Sequence, residues 1–150
     1  MPSLEWLRYE SKRAARNLLN GYYDSAISRL GIISQYLTYV LLRTNGTITI
    51  RYLGDVVDEL NKLGGEDVRL RLLLKARTLT HQQFESLWAM TQFRVGHLPH
   101  LHQLPRFTGS RCLVDGMRSV RTYRSLLDDG DFVAKIPADL IPECVWGLWL

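Results

Sequence analysis

The chain of 150 residues is 46 % hydrophobic and 23 % charged, which is the ordinary balance of one globular domain and excludes a disordered chain. No apolar run reaches the roughly 18 residues of a membrane-spanning helix, and residues 1–16 lack the apolar middle of a signal peptide, so we expect a cytoplasmic protein with no membrane partner. The formal net charge is +4, and Arg outnumbers Lys by 15 to 4. This excess of Arg is compatible with a phosphate-bearing partner, because guanidinium groups pair with phosphate through two bonds. Genome composition or heat adaptation explains the same excess equally well.

Apolar residues recur every three or four positions in the first third of the chain. This spacing predicts a helix over residues 4–20, with Ser3 as its N-cap, and a second helix over residues 24–43, with Asp24 as its N-cap. The two helices are expected to form the centre of the fold. The apolar side chains that should meet there are Leu18, Ile27, Leu30, Ile33 and Leu37.

The middle of the chain predicts two further helices. The third is predicted over residues 50–63 and the fourth over residues 67–93. We expect the fourth to be broken near residue 79, because Thr80 and Gln83 match a capping box, in which each of the two side chains accepts a bond from the other residue's backbone N–H.

The remaining segments complete the pattern. Residues 47–50 alternate like a short strand or cap the third helix, residues 96–109 form a predicted loop, and residues 110–127 form the final helix. We divide the chain into a bundle over residues 1–131 and an apolar tail over residues 132–150, which packs on the bundle or on a partner chain. The predicted fold class is an all-α, single-domain, four- to five-helix antiparallel bundle, and we expect a homodimer or a partner protein.

The two cysteines, Cys112 and Cys144, form neither a CxxC pair nor a zinc pattern. They are either two ordinary thiols or a bridge between the tail and the bundle.

Basic side chains fall at helical spacing in three groups. The groups are Arg8, Lys12 and Arg16; Arg118, Arg121 and Arg124; and Arg69, Arg71, Lys75 and Arg77. Such rows are either solvated faces or tracks for nucleic-acid phosphates, beside which tyrosines stack on bases. The tyrosines considered for stacking are Tyr22, Tyr23 and Tyr123. The residues assigned to nucleic-acid binding are Arg77, Arg118, Arg121 and Arg124.

Three histidines, His97, His100 and His102, crowd the predicted loop. Imidazoles this dense bind zinc, nickel or copper in some proteins and form a polar loop in others, and no carboxylate or thiol lies near them in sequence. We assign no metal site and no cofactor. The chain also lacks the GxxxxGK[ST], GxGxxG and GxSxG motifs of nucleotide-binding proteins and hydrolases.

Arg94 and His100 form a candidate catalytic pair, with five residues between them. Such a pair cuts RNA without metal when the His moves protons to and from the 2′-hydroxyl and the leaving oxygen, while the Arg stabilises the charge on the phosphate. Arg77 and His81, four residues apart, form a second Arg/His pair, which is either a site or a solvated helix face.

Residues 14–27, AARNLLNGYYDSAI, resemble the opening of HEPN domains, in which a first helix ends at a Gly-Tyr-Asp-type corner and the next helix carries an early Ala and a long apolar face. The resemblance extends over most of residues 4–127. It implies a helical bundle that often dimerises and, in many members, a metal-independent RNase of a toxin–antitoxin or antiviral defence system, with four to six residues between a motif Arg and a motif His. Arg94 and His100 are the positions that match this motif.

Other HEPN domains lack the motif and partner nucleotidyltransferases or other proteins. The resemblance therefore implies a protein that acts on or binds RNA or nucleotides, with a non-catalytic helical adaptor or assembly subunit as the alternative. The stretch from Gly21 to Ala26 is also similar to a tetratricopeptide unit, but a solenoid needs about three such units.

Overall fold

The computed structural model describes residues 2–48, 62–97 and 105–139, and within these ranges the chain is helical and contains no strand. The helices are α1 (Pro2–Leu19), α2 (Tyr23–Thr44), α3 (Glu66–Lys75), α4 (His81–His97), α5 (Pro105–Leu127) and the single turn α6 (Gly130–Val133). The predicted all-α class is therefore confirmed. None of the described helices is both long and apolar enough to cross a membrane.

The first two predicted helices and the broken fourth are confirmed with small changes at their ends. The predicted loop over residues 96–109 is wrong at both ends, because α4 continues to His97 and α5 already begins at Pro105. Proline fits there because its missing N–H is not needed in the first turn of a helix. The third predicted helix lies almost entirely outside the described residues, as does half of the alternating segment over residues 47–50.

The α2 helix lies at the centre of the bundle. It packs against α1, α3, α4 and α5, and its second half is buried on nearly all sides. A helix that is apolar all round is expected in this position. The five residues predicted to form the centre are at most 3 % exposed, and they are Leu18, Ile27, Leu30, Ile33 and Leu37.

Short connections make most neighbouring helices antiparallel. One exception is the pair α2 and α3, which run in the same direction. Arg69 Nη1 of α3 donates to Gln35 Oε1 of α2 at 3.3 Å, and Asn45 Nδ2, just after α2, donates to Thr78 Oγ1, just after α3, at 2.9 Å.

The break between α3 and α4 has the predicted capping box. The backbone N–H of Gln83 donates to Thr80 Oγ1 at 3.2 Å, and the backbone N–H of Thr80 donates to Gln83 Oε1 at 3.0 Å. Arg77, within the break, has a φ of 60°, the left-handed conformation that often ends helices.

The two other predicted N-caps are wrong. Asp24 lies inside the first turn of α2, whose N-cap is Tyr22 with no side-chain cap bond. Ser3 lies inside α1, where its hydroxyl donates to the carbonyls of Pro137 and Ala138 and its backbone N–H donates to the Ala138 carbonyl at 3.2 Å. The segment after α6 thus satisfies donors at the start of α1 that otherwise lack partners.

The described part of the predicted tail packs on its own bundle. Phe132 is fully buried and Ile136 is 5 % exposed, and both belong to the main hydrophobic core. The three apolar residues expected to cover a patch further along, Trp146, Trp149 and Leu150, lie outside the described residues.

Candidate nucleic-acid interface

The three arginines of α5 that were assigned to nucleic-acid binding, Arg118, Arg121 and Arg124, are all exposed. Within the described ranges none of them has a carboxylate partner. The three arginines lie on the solvent side of α5, because the helix buries its other side, where Val120 and Leu127 are each 1 % exposed. Their charges are therefore available to an anion.

The α1 helix lies antiparallel beside α5. Arg8 Nη2 is 3.3 Å from Asp128 Oδ1 at one end of the pair, and Leu18 packs against Gly116 near the other end. This register places Lys12 between the two contacts, level with the stretch of α5 that carries Arg124. Two rows of cations therefore run along neighbouring helices. In the row on α1, the charge of the first residue, Arg8, is neutralised by Asp128.

We call the exposed cations of these two rows that have no described carboxylate partner the basic face. Its members are Lys12, Arg16, Arg118, Arg121 and Arg124. Arg77, the fourth residue assigned to nucleic-acid binding, is also exposed but lies in the turn between α3 and α4, so it does not belong to this face.

Arg94, the predicted catalytic arginine, is largely enclosed. Its side chain is 13 % exposed, it forms an ion pair with Glu66 at the start of α3, and it lies against Gly31 of α2. Burial lowers the pKa of Arg94 to about 10, so the guanidinium stays charged at neutral pH. In this position Arg94 joins α2, α3 and α4, and its charge is already neutralised.

His100, the predicted partner of Arg94, lies outside the described residues, and so does His102. The predicted catalytic pair therefore has only its arginine among the described residues. In the ranges that the structure covers, no group of three or more His, Cys, Asp or Glu side chains is placed to hold a metal ion.

Two residues proposed for surface roles are buried instead. Tyr123 is 1 % exposed, and burial together with the neighbouring Tyr36 raises the pKa of its hydroxyl well above the ordinary value. Arg69 is 7 % exposed and donates to Gln35, and burial lowers its pKa. Neither side chain can stack on or pair with a ligand at the surface.

Sequence reasoning missed Glu66 as the partner of Arg94, and it assigned no functional role to Phe84 and Trp88 of α4. Both rings are only half-buried, and Arg71 of α3 lies over Trp88 at 5.2 Å. The spacing of these residues along the helices was visible in the sequence, but their contacts across helices were not.

A comparison with protein-family models, with curated proteins and with solved structures finds no match for this chain.

Proposed function

We propose that this protein binds RNA through the phosphates that the basic face attracts. The observation that carries the proposal is the contrast between one row of arginines on α5 and other cations of the described chain. Several of those other cations have carboxylate partners, namely Arg8, Arg13, Arg29, Arg94, Arg111 and Lys135. Arg118, Arg121 and Arg124 stand side by side on one helix without such partners in the described ranges.

A row of unneutralised guanidinium groups supports phosphate binding because each contact releases condensed counterions from the nucleic acid. Arg also presents a planar fork that matches phosphate oxygens. Lys12 and Arg16 on the adjacent helix α1 widen the charged surface, so it spans two helices rather than one ridge.

The choice of RNA rather than DNA rests on the resemblance of residues 14–27 to HEPN domains. Cleavage is not included in the proposal, because the Arg94 guanidinium is engaged by Glu66 and would have to leave that ion pair to hold a phosphate. A helical adaptor without RNA binding is the alternative.

Fluorescence anisotropy with a labelled single-stranded RNA of about 20 nucleotides tests the proposal, with salt varied between about 50 and about 200 mM. The variant in which Arg118, Arg121 and Arg124 are all replaced by Gln should bind more weakly. Its plot of log affinity against log salt should be flatter by about 2, since each phosphate contact on a single strand contributes ~0.7 to the slope.

Arg111→Gln is the matched control, because Arg111 is exposed on the same helix but lies 3.7 Å from Asp115. It should leave the affinity within about twofold of wild type. Equal binding by wild type and the triple variant, or no binding by wild type at the lowest salt, would favour the adaptor alternative.

A further inference from the structure

Three aromatic rings form a continuous row along one side of α4, where Phe84 and Trp88 are half-buried against the hydrophobic core. The ring centroids of His81 and Phe84 are 6.4 Å apart at an interplanar angle of 32°, and those of Phe84 and Trp88 are 5.5 Å apart at 26°. The spacing of three and four residues keeps all three rings on one side of the helix. The rings of Phe84 and Trp88 are stacked, and the ring of His81 is tilted against that of Phe84.

Arg71 of α3 extends the row, because its guanidinium carbon lies 5.2 Å from the centroid of the Trp88 ring. We call the four planar groups His81, Phe84, Trp88 and Arg71 the stacking row. Both of its end groups are open to solvent: Arg71 is exposed, and the His81 side chain is 76 % exposed. Another planar group can therefore be added at either end.

Cations flank the stacking row. Lys75 follows Arg71 by one helical turn, and the antiparallel packing of α3 and α4 brings it alongside Phe84. Arg77 follows in the turn, and both Lys75 and Arg77 are exposed with no carboxylate partner in the described part of the chain. One acidic residue lies beside the row, Glu85, whose Oε1 is 3.3 Å from His81 Nε2.

We propose that the stacking row binds the unpaired bases of single-stranded RNA, with the bases stacking on the outer faces of Arg71 and His81. Every base has a π-face, and bases stack on aromatic rings and on guanidinium planes alike. Phe84 and Trp88 hold the two end groups in position, while Lys75 and Arg77 attract the adjoining phosphates. The charge complementarity of these two cations selects a polyanion over an apolar peptide.

This inference deepens the proposed function, since it names unpaired bases as the part of RNA that is recognised away from the basic face. Two probes of equal length distinguish the two surfaces: oligo(A) RNA of about 20 nucleotides and an abasic RNA backbone that keeps the phosphates and lacks the bases. Loss of binding to both probes reports on phosphate contacts. Loss of binding to oligo(A) alone reports on stacking.

The decisive variant is Arg71→Lys, which keeps the charge and removes the guanidinium plane on an exposed side chain. We expect its affinity for oligo(A) to fall about tenfold and its affinity for the abasic backbone to stay unchanged. His81→Ala should have the same selective effect, and His81→Phe, which retains a ring, should restore binding to oligo(A). The triple Gln variant of α5 should weaken binding to both probes.

Tryptophan fluorescence supplies a second measurement that does not depend on affinity. Adding oligo(A) should quench the emission of the wild-type protein, and Trp88→Phe should abolish most of that quenching. Circular dichroism should show that this variant keeps its fold. If Arg71→Lys and His81→Ala bind oligo(A) as wild type does, the stacking proposal is wrong, whatever the α5 variant does. If they weaken both probes equally, the row does not act through base stacking and the proposal is also overturned.

Discussion

The guanidinium of Arg94 lies where a side chain at Gly31 would otherwise be. A Cβ built on Gly31 would come within 2.8 Å of Arg94 Nη1 and 3.3 Å of its Cδ. Gly31 is inside α2, where glycine is about 1 kcal/mol less favourable than alanine. The missing side chain therefore leaves space for the ion pair between Arg94 and Glu66.

Gly31→Ala should destabilise the protein despite its better helix propensity. The new methyl group must displace an arginine whose side chain is only 13 % exposed and whose charge is paired with Glu66. We expect a net loss of up to about 2 kcal/mol in the free energy of unfolding, since overpacking costs about 1–3 kcal/mol and the helix gains about 1 kcal/mol. Urea denaturation followed by circular dichroism measures the difference.

The control for this prediction is the same substitution in an Arg94→Ala background. There the clash is absent, so Gly31→Ala should stabilise the protein by up to about 1 kcal/mol. If Gly31→Ala has the same sign and size in both backgrounds, the close approach of Gly31 and Arg94 does not matter energetically.

Gly116 of α5 has a similar role against apolar neighbours. A Cβ there would lie 2.8 Å from both terminal carbons of Leu18 and 3.0 Å from Phe93 Cζ, so α5 sits closely on α1 and α4 at this point. We expect Gly116→Ala to lower the melting temperature and to cost about 1–2 kcal/mol. In a Leu18→Ala background, where space has been opened, the same change should cost clearly less. An equal cost in both backgrounds would argue against the predicted clash.

The sequence predicts the structural features that are set by residues close together along the chain. Helical periodicity located α1, α2 and the final helix, and the capping box at Thr80 and Gln83 located the break, because each of these depends on residues within a few positions of one another. The burial of Tyr123 was also predictable. It lies three residues after Val120 and four before Leu127, on the face that both of them bury.

The contacts that define the candidate sites join distant segments and were not predictable from the sequence. Glu66 and Arg94 belong to different helices, and nothing near either residue identifies the other as its partner. Ser3 resembles an N-cap in its local sequence, but its hydroxyl donates to the carbonyl of Ala138 at 3.0 Å, far along the chain. Pairings of this kind depend on the packed fold.

Asp131 should make the stability of the protein depend on pH in the acidic range. Gln83 Nε2 donates to Asp131 Oδ2 at 2.9 Å, and this bond, followed by Lys135 with its Nζ 3.4 Å from the same oxygen, lowers the pKa of Asp131. Folding therefore favours the charged carboxylate. Its contribution is fully present above the ordinary carboxyl pKa and is lost as the pH falls through the lowered value.

At neutral pH, Asp131→Asn should consequently unfold at a lower urea concentration than wild type. The difference between the two midpoints should shrink as the pH falls below about 4. Asp139→Asn is the control, because Asp139 is exposed and has no described hydrogen bond. A difference between Asp131→Asn and wild type that is independent of pH would contradict the role of the carboxylate charge.

Cys112 should react slowly with alkylating reagents in the folded protein. It is fully buried, and burial, together with the carboxylates of Asp115 and Asp24, raises the pKa of its thiol to about 11. At pH 8 its alkylation by iodoacetamide should be on the order of 100-fold slower than in urea, where an ordinary thiol has a pKa of about 8.5. Mass spectrometry of the peptide that contains Cys112 measures both rates. Similar rates in the two states would show that the thiol is accessible.

Arg94→Ala separates a structural role of this arginine from a role in RNA cleavage. It should cost about 3–5 kcal/mol of stability, because the Glu66 carboxylate is left enclosed without its counter-ion, while replacing both partners by apolar residues should cost less. RNA affinity should not change, since Arg94 is not part of the basic face.

The same variant, together with His100→Ala, tests cleavage directly when single-stranded RNA is incubated with each protein, with and without EDTA. Because the Arg94 guanidinium is held by Glu66, we expect wild type to leave the RNA intact under conditions in which it binds. Chelator-resistant cleavage that both Arg94→Ala and His100→Ala reduce by about 10²-fold or more, in variants that remain folded, would overturn this expectation. Arg94 would then have to exchange Glu66 for a phosphate during the reaction, and Glu66→Gln, which weakens the competing ion pair, should increase the rate.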